Sequence, residues 1–250
     1  MRTPEIRVSS GSLEALKWFG LVAMTGDHVN KYLFNSTLPY LFEFGRLAMP
    51  VFGFVLAYNL ARPGTLGKGI YRRVMIRLAI FGALACPSYI AMGGVLGGWW
   101  PLNILFTLLL ATAMIALVDA STILDGSVRG SDRPAEWPFM LAAAGVFALV
   151  GGAIVEFWWP ALAWCFFAWC FFKRPSWPAL ALALAGLASL YLVNKNWWAL
   201  LTIPAIYLAG ALDLRVPRLR HVFYWYYPLH LAALWLIRIP MAAAGYLFFT

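Results

Sequence analysis

Residues 13–34, LEALKWFGLVAMTGDHVNKYLF, decide how the rest of the chain reads. The stretch is long and apolar enough for a membrane-crossing helix, which needs about 20 such residues. Yet it carries Asp27, His28, Asn30 and Lys31 near its far end. Polar groups inside a bilayer are costly, and by default they mark a functional site.

The composition agrees with a membrane protein. Of 250 residues, 63% are hydrophobic and 12% charged, well below the quarter or so that is charged in soluble domains. The net charge of +9 does not indicate nucleic acid in so apolar a chain; basic residues here set topology and face anionic lipid. Cys86, Cys165 and Cys170 lie in apolar runs without metal-type spacing, so they read as small buried hydrophobes. No cleavable signal peptide is expected, because residues 2–12 are polar and no small-residue cleavage site follows the first apolar run.

Outward from that first stretch, the hydropathy predicts an all-α, polytopic membrane helix bundle forming one domain over residues 1–250, with about nine spans. They fall at roughly 13–34, 38–61, 74–93, 101–118, 138–156, 158–172, 178–194, 197–212 and 221–238. The tail from 239 is too short to span and is expected in the interface. With the N-terminus cytoplasmic and the C-terminus outside, fifteen of the nineteen Lys and Arg residues collect on the inner side, including Arg62, Lys68, Arg72, Arg73, Arg77, Arg129, Arg133, Lys173, Arg174, Arg218 and Arg220. Trp99–Trp100, Trp158–Trp159 and Trp197–Trp198 then fall at outer ends, as interfacial anchors. The connection 119–137, with Asp119, Asp125, Gly126, Arg129, Gly130, Asp132, Arg133 and Pro134, reads as a solvated cytoplasmic loop.

Several polar side chains fall at membrane depth. His28 lies roughly 9 Å from the outer end of span one and Arg46 roughly 12 Å into span two, so a short hairpin brings them to similar depth. Arg46 cannot lose its charge and needs a partner; Glu43 at i−3 is the local candidate. Pro50 cannot donate to the Arg46 carbonyl, which predicts a kink. Asp27 and Lys31 can pair at i,i+4, with Lys31 snorkelling to the surface. Asp27 and His28 diverge by about 100° on a helix, so Asp27 is poorly placed to orient His28 and is expected to face another helix, such as span nine. His230 sits mid-span, sharing a face with Tyr226 and Tyr227 beside Pro228, whereas His221 reads as surface. Asn103 reads as a helix cross-link and Glu156 as a wet outer residue. A zinc site built from two His and an Asp is disfavoured, because the spacing is not that of a motif and Arg46 opposes a cation.

Four segments, LKWFGLVAMTGDHVNKYLF, FGRLAMPVFGFVLAYNLAR, LNILFTLLLA and FYWYYPLHLAALWLI, resemble the signature blocks of the TraX family. Its members are polytopic inner-membrane proteins of conjugation systems implicated in acetylating the pilin N-terminus. The family is in turn similar to the acyltransferase-3 membrane acyltransferases. The resemblance covers spans one and two, the start of span four and span nine, in order. One departure is Glu156-Phe157-Trp158, where many relatives have a Tyr-Gly-type motif. The resemblance implies acetyl-CoA as donor, a pilin subunit as acceptor and a bacterial inner-membrane location. It also implies acyl-transfer roles for Asp27, His28, Arg46 and His230, supported by Asn30, Asn59, Asn103 and Tyr227.

Inner-side Arg72 and Arg73 complement the phosphates of a CoA donor, and a His with its ordinary pKa suits deprotonation of an amine. Three alternatives stand beside this reading: acylation of a glycan or lipid head group, a transporter using the polar residues as a proton path, and an assembly scaffold in which they only lock helices together.

Overall fold

In a computed structural model, residues 6–94, 96–128, 137–219 and 221–246 are described. Arg129, Gly130, Asp132, Arg133 and Pro134 of the expected loop, Arg2 and Arg220, and the end of the tail lie outside them.

Among the described residues the long apolar runs are helical, and no strand occurs. Helix α1 (Ser10–Leu33) starts at Ser9, whose hydroxyl accepts from the Ser12 amide at 3.2 Å and satisfies one of the free first-turn donors. The second run is two helices, α2 (Pro39–Gly45) and α3 (Ala48–Leu60), broken at Arg46 and Leu47, where Pro50 has no N–H for the Arg46 carbonyl. Then follow α4 (Ile70–Ala91), α5 (Ile104–Val128), α6 (Trp137–Val146) with a π-helical turn Phe147–Gly151, α7 (Trp158–Lys173), α8 (Trp177–Ser189), the short α9 (Tyr191–Asn194), α10 (Thr202–Ala211) and α11 (Val222–Ala243).

Among the described residues, four stretches are long and apolar enough by themselves to cross a membrane: Pro39–Leu60, Ile70–Ala91, Ile104–Thr122 and Trp177–Asn194. Pro138–Gly151 and Trp198–Ala211 are shorter apolar helices. Helix α1 is long enough but carries Glu14, Lys17, Asp27 and Lys31.

Five helices close a ring in which α1 packs on α3, α3 on α5, α5 on α4, α4 on α11 and α11 on α1. Helix α7 packs outside this ring on α3 and α5, with α8 beyond it, and α6 lies on α5. The α7–α8 contact is close because Gly186 faces the backbone of Ala163 and Trp164, where a methyl group would not fit.

The connection after α5 differs from the expectation. Helix α5 runs through Val128, and Asp119 is buried rather than solvated: it accepts from the Tyr71 hydroxyl at 3.0 Å and pairs with Lys173 at 2.8 Å. The apolar residues before it continue the helical pattern, so the helix carries Asp119 inward to join α4, α5 and α7.

Candidate active site

The far end of α1 presents two polar faces to two different neighbours. Asp27 faces α2 rather than span nine, which is α11: its Oδ2 accepts from Nη2 of Arg46 at 2.6 Å. Gly45 permits this approach, because a Cβ there would overlap Asp27. Arg46 also donates through Nε to the Phe42 carbonyl at 3.1 Å and lies over the Phe42 ring at 4.2 Å. Its partner is therefore Asp27 across the hairpin, not Glu43 one turn away. The hairpin lets two largely shielded charges neutralise each other.

His28, about 100° further round the helix, faces α11. Its Nδ1 lies 2.7 Å from Nε2 of His230, with the rings parallel and their centroids 5.0 Å apart. Nδ1 of His230 lies 2.9 Å from the Tyr226 carbonyl. A carbonyl only accepts, so this Nδ1 carries the proton and the neutral ring accepts through Nε2. The shared bond is then completed by a proton on Nδ1 of His28, which leaves Nε2 of His28 as a lone pair. The chain Tyr226 C=O, His230, His28 thus fixes both tautomers and leaves the lone pair on Nε2 of His28. Thr25 Oγ1 and the Tyr226 hydroxyl, 2.7 Å apart, tie the same two helices one turn away. Tyr227 stands edge-on to both rings, at 6.3 Å from His28 and 5.4 Å from His230.

Inside the five-helix ring lies a cavity of about 530 Å³. Among the described residues its wall contains six cationic side chains, Lys17, Arg62, Lys68, Arg73, Arg77 and Arg218, and no carboxylate, although Glu14 behind it pairs with Lys17 at 2.6 Å and lies 3.9 Å from Arg218. The remainder is mostly apolar and reaches Met24, Leu105 and Tyr227. Tyr227 is therefore a wall shared by the cavity and the histidine pair.

The other predicted residues divide. Asn59 and Arg73 line the cavity, whereas Arg72 is exposed and is not part of its wall. Asn103 is fully buried and engaged in structure: Nδ2 donates to the Gly82 carbonyl at 3.0 Å, and Oδ1 accepts from the Leu105 amide at 3.1 Å. Asn30, also fully buried, accepts from the Leu38 amide at 2.8 Å and so fixes the hairpin, while its Nδ2 has no partner among the described residues. Lys31 does not snorkel or pair at i,i+4; it donates to the Gly94 carbonyl at 2.8 Å and lies against the Tyr32 ring.

Glu156 is the residue that the sequence reading missed. Its backbone is fixed by pairing with Leu102 at 2.9 Å and by the Thr107 hydroxyl at 2.7 Å. Its carboxylate lies near the start of α5, within electrostatic range of Lys31, Asp27 and Arg46. No sequence spacing links residue 156 to residues 27 and 31; only the pairing of two loops brings them together. Among the described residues, no group of three His, Cys, Asp or Glu side chains gathers in a way that could hold a metal ion.

The fold and this site define a helical membrane protein with a largely buried histidine pair beside a cation-lined cavity. The family profile described as TraX protein matches residues 12–238, nearly the whole chain, and the chain belongs to that family. No curated protein and no solved structure matches it.

Proposed function

We propose that the chain is a nine-span inner-membrane acetyltransferase, N-terminus inside and C-terminus outside, moving an acetyl group from acetyl-CoA to the N-terminal amine of a conjugative pilin subunit. The observation that carries this reading is the cavity. Its cationic wall suits the phosphates of CoA, and its apolar inner part suits the pantetheine arm, with the thioester directed to Tyr227 beside the histidines.

The acceptor amine arrives protonated, since an α-amine has a pKa of about 7.7–8.0. It gives that proton to water at the outer side, and the free amine then attacks the thioester carbonyl, forming the N–C bond as the carbonyl oxygen becomes an oxyanion. As the C–S bond breaks, Nε2 of His28 takes the second amine proton and delivers it to the departing CoA thiolate. His230 holds the tautomer that makes this nitrogen basic. Arg46, already neutralised by Asp27, stabilises the oxyanion through its remaining donors. Asp27 is thereby committed, so Glu156 is the carboxylate that receives the acceptor ammonium. Among the described residues no Ser or Cys is hydrogen-bonded to a His or a carboxylate, and transfer is direct. A relationship to acyltransferase-3 enzymes is part of this proposal.

The test is transfer in proteoliposomes with acetyl-CoA labelled in its acetyl group and purified pilin, followed by mass spectrometry of the pilin N-terminus. Label on the α-amine supports the reading. Label on a glycan or lipid head group, or none on any acceptor, overturns it.

A further inference from the structure

The cavity inside the five-helix ring stops one helical turn short of the histidine pair. On α1 it is walled by Lys17, Leu21 and Met24, one face stepping inward by about 10 Å. On α11 it is walled by Phe223, Tyr224 and Tyr227. The next residues on those two faces, His28 and His230, lie beyond the wall.

Met24 and Tyr227 close the inner end together with Ile104 and Leu105 from the first turn of α5. All four are more than nine-tenths buried, and apart from the Tyr227 hydroxyl their side chains offer no hydrogen-bond donor. The mouth is the opposite: it holds the cations, and the Arg218 side chain is 67% exposed. A ligand held by its phosphates at the mouth can therefore place only an uncharged, apolar group at the inner end. The side chains there differ in freedom. Tyr227 stands edge-on to both imidazoles, and the Leu105 amide is held by Asn103 at 3.1 Å. Met24 is the unbranched chain that fills the remaining space.

We propose that this inner end is the acyl pocket of the donor site and that Met24 sets the length of the acyl group, leaving room for acetyl and excluding longer chains. The inference rests on the acyl-transfer reading of the cavity and deepens it. Phosphates and pantetheine arm are common to every acyl-CoA, so only the end of the cavity can tell one donor from another. The discrimination is steric: extra methylenes overpack a closed apolar pocket, and each is worth about 10- to 200-fold in specificity.

The test is a competition in proteoliposomes of the full chain with purified pilin and equal acetyl-CoA and butyryl-CoA, read as the ratio of acetylated to butyrylated pilin N-termini by mass spectrometry. Wild type is expected to favour acetyl about a hundredfold or more. Met24→Ala removes Cγ, Sδ and Cε, suits the helix, and lowers that ratio about tenfold or more. Met24→Val, a smaller truncation, lowers it by less and carries the test if the alanine variant does not fold. Met24→Leu, close in volume, keeps the ratio. Leu21→Ala opens the same cavity one turn nearer the mouth and leaves the ratio unchanged, which general loosening would not. Acetyl transfer by wild type with an unchanged ratio in both Met24 truncations, or an equal shift in Leu21→Ala, overturns this inference alone. Absence of any acyl transfer by wild type overturns it together with the proposed function.

Discussion

His230 does not have to touch substrate to matter, and replacing it separates a positioning role from a purely structural one. In His230→Ala, Nδ1–H of His28 loses an acceptor at 2.7 Å, and the Tyr226 carbonyl loses a donor at 2.9 Å. Each hydrogen bond contributes about 0.5–1.5 kcal/mol net to stability, so the variant is destabilised by roughly 1–3 kcal/mol and still inserts. Activity falls further, because the His28 tautomer is no longer held; the loss of a positioned base is about 10²- to 10⁴-fold. His230→Gln restores an acceptor and recovers part of the rate. The assay pairs mass spectrometry of pilin N-terminal acetylation with thermal unfolding of the same preparation. Acetylation within threefold of wild type in His230→Ala, or a rate loss no larger than its loss of folded protein, would refute the relay.

Gly45→Ala forces its methyl into Asp27 and separates the ion pair with Arg46; destabilisation of about 1–3 kcal/mol is expected, and Asp27→Ala in the same chain, by making room, should recover the packing part when melting is measured. Arg73→Glu raises the KM for acetyl-CoA about tenfold or more, as expected for a lost charge-assisted contact, whereas Arg72→Glu leaves it unchanged, because only Arg73 walls the cavity; equal effects would refute the assignment. Glu156→Gln raises the KM for the pilin amine without changing the KM for acetyl-CoA, and a change confined to the donor would contradict its place on the acceptor side. Lys173→Met leaves Asp119 with only the Tyr71 hydroxyl and destabilises by about 3 kcal/mol at most, since Lys173 is partly exposed; adding Asp119→Asn should recover stability in a thermal melt.

Much of this was legible in residues 13–34 and their neighbours. Apolar run length located the helices, and Pro50 located the break between α2 and α3. Helical geometry showed that Asp27 and His28 point apart and that Arg46 sits at a depth where the hairpin can reach it. It could not show which carboxylate Arg46 takes, because Glu43 and Asp27 are both within reach and only the close approach at Gly45 decides. The roles of Glu156 and Asp119 were not legible either. Glu156 reaches the site through the pairing of two loops with no hydropathy signal. Asp119 looked like the start of a loop because charges follow it, yet α5 continues and buries it. The facing of His28 and His230 depends on the rotation of α11, which apolar periodicity does not fix in a helix hydrophobic on most of its surface.

The most direct measurement is a cryo-electron microscopy structure with a non-reactive acetyl-CoA analogue bound. The phosphates should lie among Arg62, Arg73 and Arg77, with the acyl group against Tyr227 and room for an amine within roughly 3–3.5 Å of the carbonyl carbon and in reach of Nε2 of His28. An analogue bound outside the five-helix ring, or one whose acyl group ends away from the histidine pair, would contradict the catalytic reading.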